Sequence, residues 1–459
     1  MDRFRGKRVA IVGLSTEGQD AIQFFLSRGS ELVCLDRRDE KIIFSLYPKL
    51  SALPLKLSLG TDYLAALSDV DIIVRTPGMA LATRELEEAK KNGKEITSLT
   101  KLFFECCRAP IIGVTGTKGK GTTSTLIYEI LKTGGKTVYL GGNVGTPLLS
   151  LVDTIKNDDW VVLELSSFQL EDLTQSPHIS VVLTITQDHL ANFDPLATNF
   201  HESRDAYVAA KKQIIRYQHA SDIAIFHADD PTAFSFADDT PAIKYFFGKN
   251  SKMDACIRGR EVFLKMNGED QSIGTLSDMK IIGPHNLENV AAAALAAREA
   301  GMSIDTIRTA VRNFSGLPHR LQIVGVKNGV TYVDDSFSTT PETTIAAINS
   351  FDSPMILIVG GSEKGSDFQE MGKRIAQSPV SKVIVVGEMT KRITTALSAA
   401  GFSGEIVTGL VAMHDMVRVA NDGAKPGDVI LLSPACASFG LFPNYKERGR
   451  QFTYEVSLL

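Results

Sequence analysis

The stretch Pro110-Ile-Ile-Gly-Val-Thr115-Gly116-Thr117-Lys118-Gly119-Lys120-Gly121-Thr122-Thr123 decides how the rest of the chain is read. A short apolar, β-branched run leads into a turn rich in glycine, then a lysine, then hydroxyl residues where a helix over 121–132 begins. Backbone N–H groups of such a turn and the helix N-terminus form a cradle for phosphate oxygens. Lys120 supplies neutralising charge, and a threonine hydroxyl can reach magnesium. The spacing departs from GxxxxGK[ST]: Val114 occupies the first glycine position, and Gly121 follows the lysine where Ser or Thr is usual. An ordinary strand–helix turn also uses glycine, but the strand–loop–helix order favours ATP as the ligand.

Outward from this loop, short apolar runs alternate with amphipathic stretches, the pattern of a parallel α/β architecture. Before it, strands are expected at 9–14, 32–36, 71–75 and 94–97. After it they are expected at 136–140, 161–165, 180–184 and 223–227. From about residue 242 to 282 short β-like pieces interrupt the alternation and suggest an inserted antiparallel sheet. Helices over 286–300 and 304–314 follow, and Gly316-Leu-Pro-His319-Arg320 reads as a linker. A third alternating segment has strand cores at 331–335, 355–359, 382–386 and 428–432. The expectation is an α/β chain of three domains, 1–108, 109–318 and 319–459. The first and last are Rossmann-like; the central one is an ATPase-like domain with a parallel sheet and a small extra β-sheet.

The length of 459 residues fits three domains, and 44% hydrophobic with 22% charged residues fits soluble cores rather than disorder. A net charge of −4 removes the usual electrostatic drive for nucleic-acid binding. The five cysteines, Cys34, Cys106, Cys107, Cys256 and Cys436, form no CxxC pair, so idle thiols in a reducing compartment are expected. No apolar run is long enough to cross a membrane as a helix. The expected location is the cytoplasm, and the expected state a monomer.

Three further residues carry chemistry only in context. Glu164 closes a strand in Trp160-Val-Val-Leu-Glu-Leu-Ser-Ser-Phe-Gln169, a position from which a carboxylate can hold magnesium. His189 follows another strand, and Lys211 lies on a helix. Taken singly, each is more often a solvated or satisfied polar residue. Gly13-Leu-Ser-Thr-Glu-Gly18 is a weak dinucleotide fingerprint because Ser15 stands at the middle glycine. Asp36, at the end of the next strand, would suit a ribose.

Several motifs in order, Thr115-Gly-Thr-Lys-Gly-Lys120, Glu164-Leu-Ser-Ser-Phe-Gln-Leu170, Gly316-Leu-Pro-His-Arg320 and Leu432-Ser-Pro-Ala-Cys-Ala-Ser438, resemble the Mur ligases of peptidoglycan synthesis. The resemblance spans essentially the whole chain and is greatest to the D-glutamate-adding members. It implies an ATP-dependent amide ligase that joins D-glutamate to UDP-N-acetylmuramoyl-L-alanine through an acyl phosphate. On that resemblance, Ser15, Thr16, Asp36, Arg37 and Thr76-Pro77-Gly78 would hold the uridine diphosphate. Asn143, Ser166 and Gln169 would approach the muramoyl-alanine end.

The resemblance also assigns the catalytic centre. Gly116, Thr117, Lys118, Gly119, Lys120, Gly121, Thr122 and Thr123 would cradle ATP, with His285, Asn286 and Asn289 on the nucleotide segment and Arg320 and Asp335 contributing from the third domain. Thr122, Glu164, His189 and a carbamylated Lys211 would bind magnesium, two ions in all. Thr339, Lys364, Ser438 and Tyr445 would recognise D-glutamate. Lys120, His189, Lys211 and Lys364 form the implied catalytic set.

Three positions depart from that pattern. Gly121 makes the loop more like that of folylpolyglutamate synthetases, Phe337 stands where the D-glutamate ligases carry a lysine, and Tyr445 stands where phenylalanine is common. The alternatives are a folylpolyglutamate synthetase, a Mur ligase for another amino acid, and a degenerate ligase acting as a binding subunit. Residues 1–108 argue against the first. Joint retention of Lys120, Glu164, His189 and Lys211 argues against the last.

Overall fold

Short runs of Val, Ile and Leu that bury both faces, separated by amphipathic helices, build three mainly parallel sheets. The computed structural model describes residues 2–186, 199–362 and 365–459. Its packing divides into two units, Met1–Ile273 with Glu288–Ala310, and Gly274–Leu287 with Val311–Leu459.

The first unit opens with β1 (Arg8–Val12), β2 (Glu31–Asp36), β3 (Leu55–Leu59), β4 (Ile72–Arg75) and β5 (Glu95–Ser98), all parallel, in the order β3-β2-β1-β4-β5. Successive side chains point to opposite faces. Val9, Ile11, Cys34 and Val74 pack with Phe24, Phe25 and Leu102, while Ala10, Val12, Leu35 and Ile73 pack with Leu67 and Leu86.

The second sheet contains β6 (Ile111–Thr115), β7 (Val138–Gly142), β8 (Trp160–Glu164), β9 (Ile179–Val182), β10 (Ile223–His227), β11 (Ile243–Gly248), β12 (Ala255–Arg258), β13 (Glu261–Met266) and β14 (Glu269–Thr275). Its order is β14-β13-β12-β11-β10-β9-β6-β8-β7. The β-pieces after residue 242 therefore do not form a separate inserted sheet. Strand β11 pairs parallel to β10, and β12 joins β11 through Phe247↔Ala255 and Gly248↔Cys256 before the antiparallel turn to β13. Strand β6 lies between β8 and β9, so the glycine loop leaves the carboxyl edge of the sheet with a strand on each side, where ligands of open α/β sheets bind.

The second unit carries β15 (Gln322–Lys327), β16 (Val330–Asp334), β17 (Met355–Gly360), β18 (Val380–Val386), β19 (Glu405–Thr408) and β20 (Val429–Leu432), in the order β15-β16-β20-β17-β18-β19. Only the β15–β16 pair is antiparallel. Leu357, Val359 and Leu431 face one cluster, and Ile356, Ile358 and Ile430 the other.

Strands β3, β15 and β19 escape the sequence reading, and all three are edge strands with mostly half-exposed residues. With one flank open to solvent they need no continuous apolar run, and Leu-Lys-Leu-Ser-Leu of β3 shows instead the alternation of a half-buried strand, which a search for continuous apolar runs passes over. The presumed linker 316–320 is likewise not loose: Phe337 N–H donates to the His319 carbonyl at 2.9 Å.

Gly18 is held by packing. A Cβ there would sit 2.0 Å from the Gly13 carbonyl oxygen, a backbone atom with no freedom to withdraw. Gly18→Ala should cost about 1–3 kcal/mol, the usual range for overpacking a tight site. Scanning calorimetry reads this as a lower Tm; an unchanged Tm would contradict the close approach of helix and strand.

Candidate active site

The glycine loop is shaped by left-handed glycine. Gly119 has φ +85° and stands immediately before the helix Lys120–Thr133, and a Cβ there would meet Asn289 Oδ1 at 2.2 Å. Thr117 is fixed from several sides: its N–H donates to Thr184 O at 2.7 Å, its hydroxyl donates to Thr186 O at 3.1 Å, and the hydroxyl lies 2.9 Å from the Tyr207 hydroxyl. Thr123, fully buried, donates to Asn289 Oδ1 at 3.3 Å. Lys118 is exposed, whereas Thr122 is buried within the first turn of the helix.

Two lysines converge on this loop. Lys120 Nζ donates to the carbonyls of Gly116 and Thr117, each at 3.0 Å. Lys211 is 1% exposed, and its Nζ donates to the same Gly116 carbonyl at 2.8 Å while lying 4.7 Å from the centre of the Tyr207 ring. Lys211 is therefore not a solvent-facing helix lysine. Lys211 and Tyr207 lie one turn apart on the helix Arg204–Arg216, so one face of that helix delivers both groups to the loop.

Glu164, 4% exposed, ends β8 opposite Val114 of β6, and accepts from Asn143 Nδ2 at 3.1 Å. Among the described residues its second oxygen takes no hydrogen bond. A buried carboxylate with one oxygen free beside the glycine loop fits a magnesium ligand. His189 lies outside the described residues, and among those described no group of three His, Cys, Asp or Glu could hold a metal. Ser166 and Gln169 form a capping box: Ser166 N–H donates to Gln169 Oε1 at 3.0 Å, and Gln169 N–H to Ser166 Oγ at 3.3 Å. His201, which the sequence reading missed, buttresses this turn through Ser167 Oγ, 2.9 Å from its Nε2, and by stacking on Phe168.

In the first sheet, Ser15 precedes the helix Thr16–Ser27 without using its hydroxyl as a cap. Asp36 is not free for a ligand. It accepts from Leu14 N–H at 2.8 Å and from Arg38 at Nε and Nη2, at 2.8 and 2.7 Å. Burial pushes the Asp36 carboxyl up, but these donors together hold it below its ordinary value. Arg37 is exposed; Arg38, unremarked in the sequence, does the pinning. Thr76 and Gly13 meet, since a Cβ on Gly13 would fall 2.6 Å from Thr76 Oγ1. The loop at 13–16 and the turn at 76–78 thus form one surface. Asn199 Nδ2 donates to the Pro77 carbonyl at 2.8 Å, another contact that no local motif announces.

In the second unit, Asn286 Nδ2 donates to Ile282 O at 2.7 Å. The Pro318-His-Arg segment is strained: His319 and Leu321 have φ of +64° and +44°, at a typical cost of about 1–3 kcal/mol each. The bonds around them offset that cost. His319 Nδ1 lies 2.7 Å from Asp334 Oδ2, and Leu321 N–H donates to Asp335 Oδ1 at 3.1 Å. Arg320 is thereby presented over the Phe337 ring at 4.4 Å, and Phe337 meets Tyr445 edge-on at 5.1 Å. Phe337 thus supplies an aromatic platform for Arg320, an arrangement worth about 0.5–2 kcal/mol. Ser438 is buried, Thr339 half-buried, and Lys364 lies outside the described residues.

Asp335 is 2% exposed, and burial pushes its carboxyl up to about 6 against the pull of Ser338, Ser433, the Leu321 N–H and Arg320. Its ordinary value is 3.8, so the folded chain binds this proton more tightly than the unfolded chain. The resulting stabilisation is complete below pH 3.8 and disappears as pH rises through 6. Asp335→Asn, measured without ligands, should melt higher than the parent at pH 7.5, with the gap closing towards pH 4.5. A gap independent of pH would contradict this.

Comparison with known proteins accords with this geometry. Residues 7–98 match the Mur ligase MurD-like N-terminal domain, 114–297 the Mur ligase middle domain, and 319–436 the Mur ligase glutamate ligase domain. The UDP-N-acetylmuramoylalanine–D-glutamate ligase of Symbiobacterium thermophilum is 37% identical over 99% of this chain and 98% of its own length. That of Acetivibrio thermocellus is 36% identical over 98% and 96%. Among solved structures, the UDP-N-acetylmuramate–alanine ligase MurC of Thermotoga maritima has a TM-score of 0.62 at 18% identity, covering 98% of this chain and 99% of that one. MurF of the same organism, in complex with ADP, has a TM-score of 0.57 at 19% identity, covering 99% and 96%. With full-length relatives above 30% identity and all three domains matched in order, the chain belongs to the Mur ligase family.

Proposed function

We propose that this chain is an ATP-dependent ligase that adds D-glutamate to the alanyl carboxyl of UDP-N-acetylmuramoyl-L-alanine. The observation that carries the catalytic part of this reading is the Gly116 carbonyl, which receives both Lys120 and Lys211 on a loop flanked by buried Glu164. The relatives that cover the whole chain supply the substrates. The first domain is taken as residues 1–108, the second as 109–318 and the third as 319–459. The reaction belongs to peptidoglycan precursor synthesis, with the chain acting as a cytoplasmic monomer. Among the described residues no helix is long and apolar enough to cross a membrane.

In this reading the alanyl carboxylate attacks the γ-phosphorus of ATP, the bond to the bridging oxygen breaks, and ADP leaves. The D-glutamate amine then attacks the acyl carbon, the carbon–oxygen bond to phosphate breaks, the amine loses a proton and phosphate departs. Little covalent chemistry falls to the protein, so its work is positioning and charge stabilisation. Lys120 exchanges the loop carbonyls for phosphate oxygens, and the loop N–H groups at 116–123 hold the phosphates. Asn286, Asn289, Arg320 and Asp335 orient the nucleotide. Ser15, Thr16, Arg37 and Thr76–Gly78 hold the uridine diphosphate, while Asp36, pinned by Arg38, fixes the Leu14 N–H at the start of that loop. Asn143, Ser166 and Gln169 border the acceptor carboxyl. Thr339, Lys364, Ser438 and Tyr445 bind D-glutamate.

Magnesium, when bound, supplies Lewis-acid neutralisation of the phosphoryl oxygens. Thr122, Glu164, His189 and Lys211 would hold it, Lys211 as its carbamate. Carbamylation converts a cation into an anion yet keeps an N–H on Nζ, so the bond to Gly116 O survives the modification.

The test is phosphate release with ATP, magnesium and UDP-N-acetylmuramoyl-L-alanine across D- and L-amino acids. Release only with D-glutamate, with a product one glutamyl residue heavier, is expected; silence with every amino acid despite ATP binding would favour a degenerate ligase. Lys211→Ala should lose most of this turnover and regain part of it with added short-chain carboxylates. Full activity without them would remove Lys211 from the metal site.

A further inference from the structure

Arg75 ends β4 immediately before the Thr76–Gly78 turn, and it is completely buried. A buried guanidinium demands partners at nearly every N–H. It finds them on two segments far apart in sequence. Its Nη1 donates to the Met79 carbonyl at 3.1 Å, closing the turn that follows it, and its Nη2 donates to the Phe168 carbonyl at 3.0 Å, inside the helix Ser167–Leu170. Two carboxylates fix its plane: Nε lies 3.2 Å from Asp172 Oδ2, and Nη2 lies 3.1 Å from Glu171 Oε1. Ser98 Oγ, at the end of β5, donates to the other Asp172 oxygen at 3.0 Å. Burial pushes the Glu171 carboxyl up to about 7 even beside Arg75.

Other links join the first two sheets, including Arg28 with Asp153 at 2.8 Å, a pair whose arginine is largely covered and whose aspartate is exposed. Arg75 differs in that one rigid fork grips the main chain of both substrate-facing turns. The turn at 76–79 belongs to the surface assigned to the uridine diphosphate, and the turn at 166–170 to that assigned to the muramoyl-alanine end. A substrate that reaches both gains from having them held at fixed separation, because binding of one end then presents the other at high effective concentration.

Resting on the functional reading above, we infer that Arg75 is a positioning residue that fixes the distance between the two halves of the nucleotide-sugar site and thereby sets affinity for the complete substrate, not for its nucleotide alone. Lysine, a single-point donor on a flexible stem, cannot reproduce the fork.

The experiment is calorimetric titration of the full chain, without ATP, with UDP and separately with UDP-N-acetylmuramoyl-L-alanine, comparing the parent, Arg75→Lys, Asp172→Asn and Arg28→Ala. Arg75→Lys should bind UDP like the parent but the complete substrate about ten- to a hundredfold more weakly, the scale of a lost charged hydrogen bond. Its KM for that substrate should rise while its KM for ATP stays put. Asp172→Asn, which keeps the fork but loosens its orientation, should shift the same ratio by less and stands in should Arg75→Lys fail to fold. Arg28→Ala should leave the ratio unchanged. Equal losses for both ligands, or a lower Tm with both affinities intact, would reduce Arg75 to a structural residue and overturn the inference. Failure of the parent to bind either ligand would instead overturn the functional reading and the inference with it.

Discussion

One carbonyl oxygen organises the central site. Gly116 O accepts from Lys120 and from Lys211, bringing two ammonium groups onto a single acceptor at 3.0 and 2.8 Å. Their mutual repulsion is unfavourable in a partly buried setting, and the proposed carbamylation of Lys211 relieves it. The geometry depends on everything around it. Gly116 has φ +150°, and a Cβ there would fall 2.7 Å from Leu183 Cβ, so glycine is required. The loop sits between β8 and β9 because β6 is interior to the sheet, and Thr117 is bonded to the chain after β9 and to Tyr207. The two carbonyl bonds of Lys120 hold its ammonium at the loop.

The third domain applies a similar economy to arginine. Left-handed backbone at His319 and Leu321 is tolerated because Asp334 and Asp335 bind the segment on either side of Arg320. The guanidinium then rests on Phe337, which Tyr445 supports from the other side. The aromatic at 337 gives the Arg320 charge a surface that orients it. Asp335, with its carboxyl raised by burial, marks this as a site where desolvation competes with hydrogen bonding.

Much of the architecture was legible in the sequence because interior parallel strands must be apolar on both faces. Val9–Val12, Ile111–Thr115 and Met355–Gly360 announce themselves in that way. Edge strands need no such run, and β3, β15 and β19, with mostly half-exposed residues, were passed over by a reading based on continuous apolar stretches. The phosphate loop was legible because its conformation needs glycine at particular places. Asn199, His201 and the Arg75–Asp172 contact were not, because each acts across a long sequence separation that no local spacing encodes, and Arg38 was not because its role is set by the fold of the Asp36 carboxylate back onto it. Lys211 was legible only through family likeness; its burial against Gly116 is a tertiary fact.

The central claim, that this loop serves phosphoryl transfer to a carboxylate and not simple ATP hydrolysis, is most directly tested by oxygen tracing. The substrate is UDP-N-acetylmuramoyl-L-alanine labelled with a heavy oxygen isotope in its alanyl carboxyl, incubated with ATP, magnesium and D-glutamate. The account predicts that one labelled oxygen leaves in the released phosphate and the other remains in the new amide. Phosphate free of label, released at the same rate, would mean that water and not the carboxylate receives the phosphoryl group, and would contradict the account.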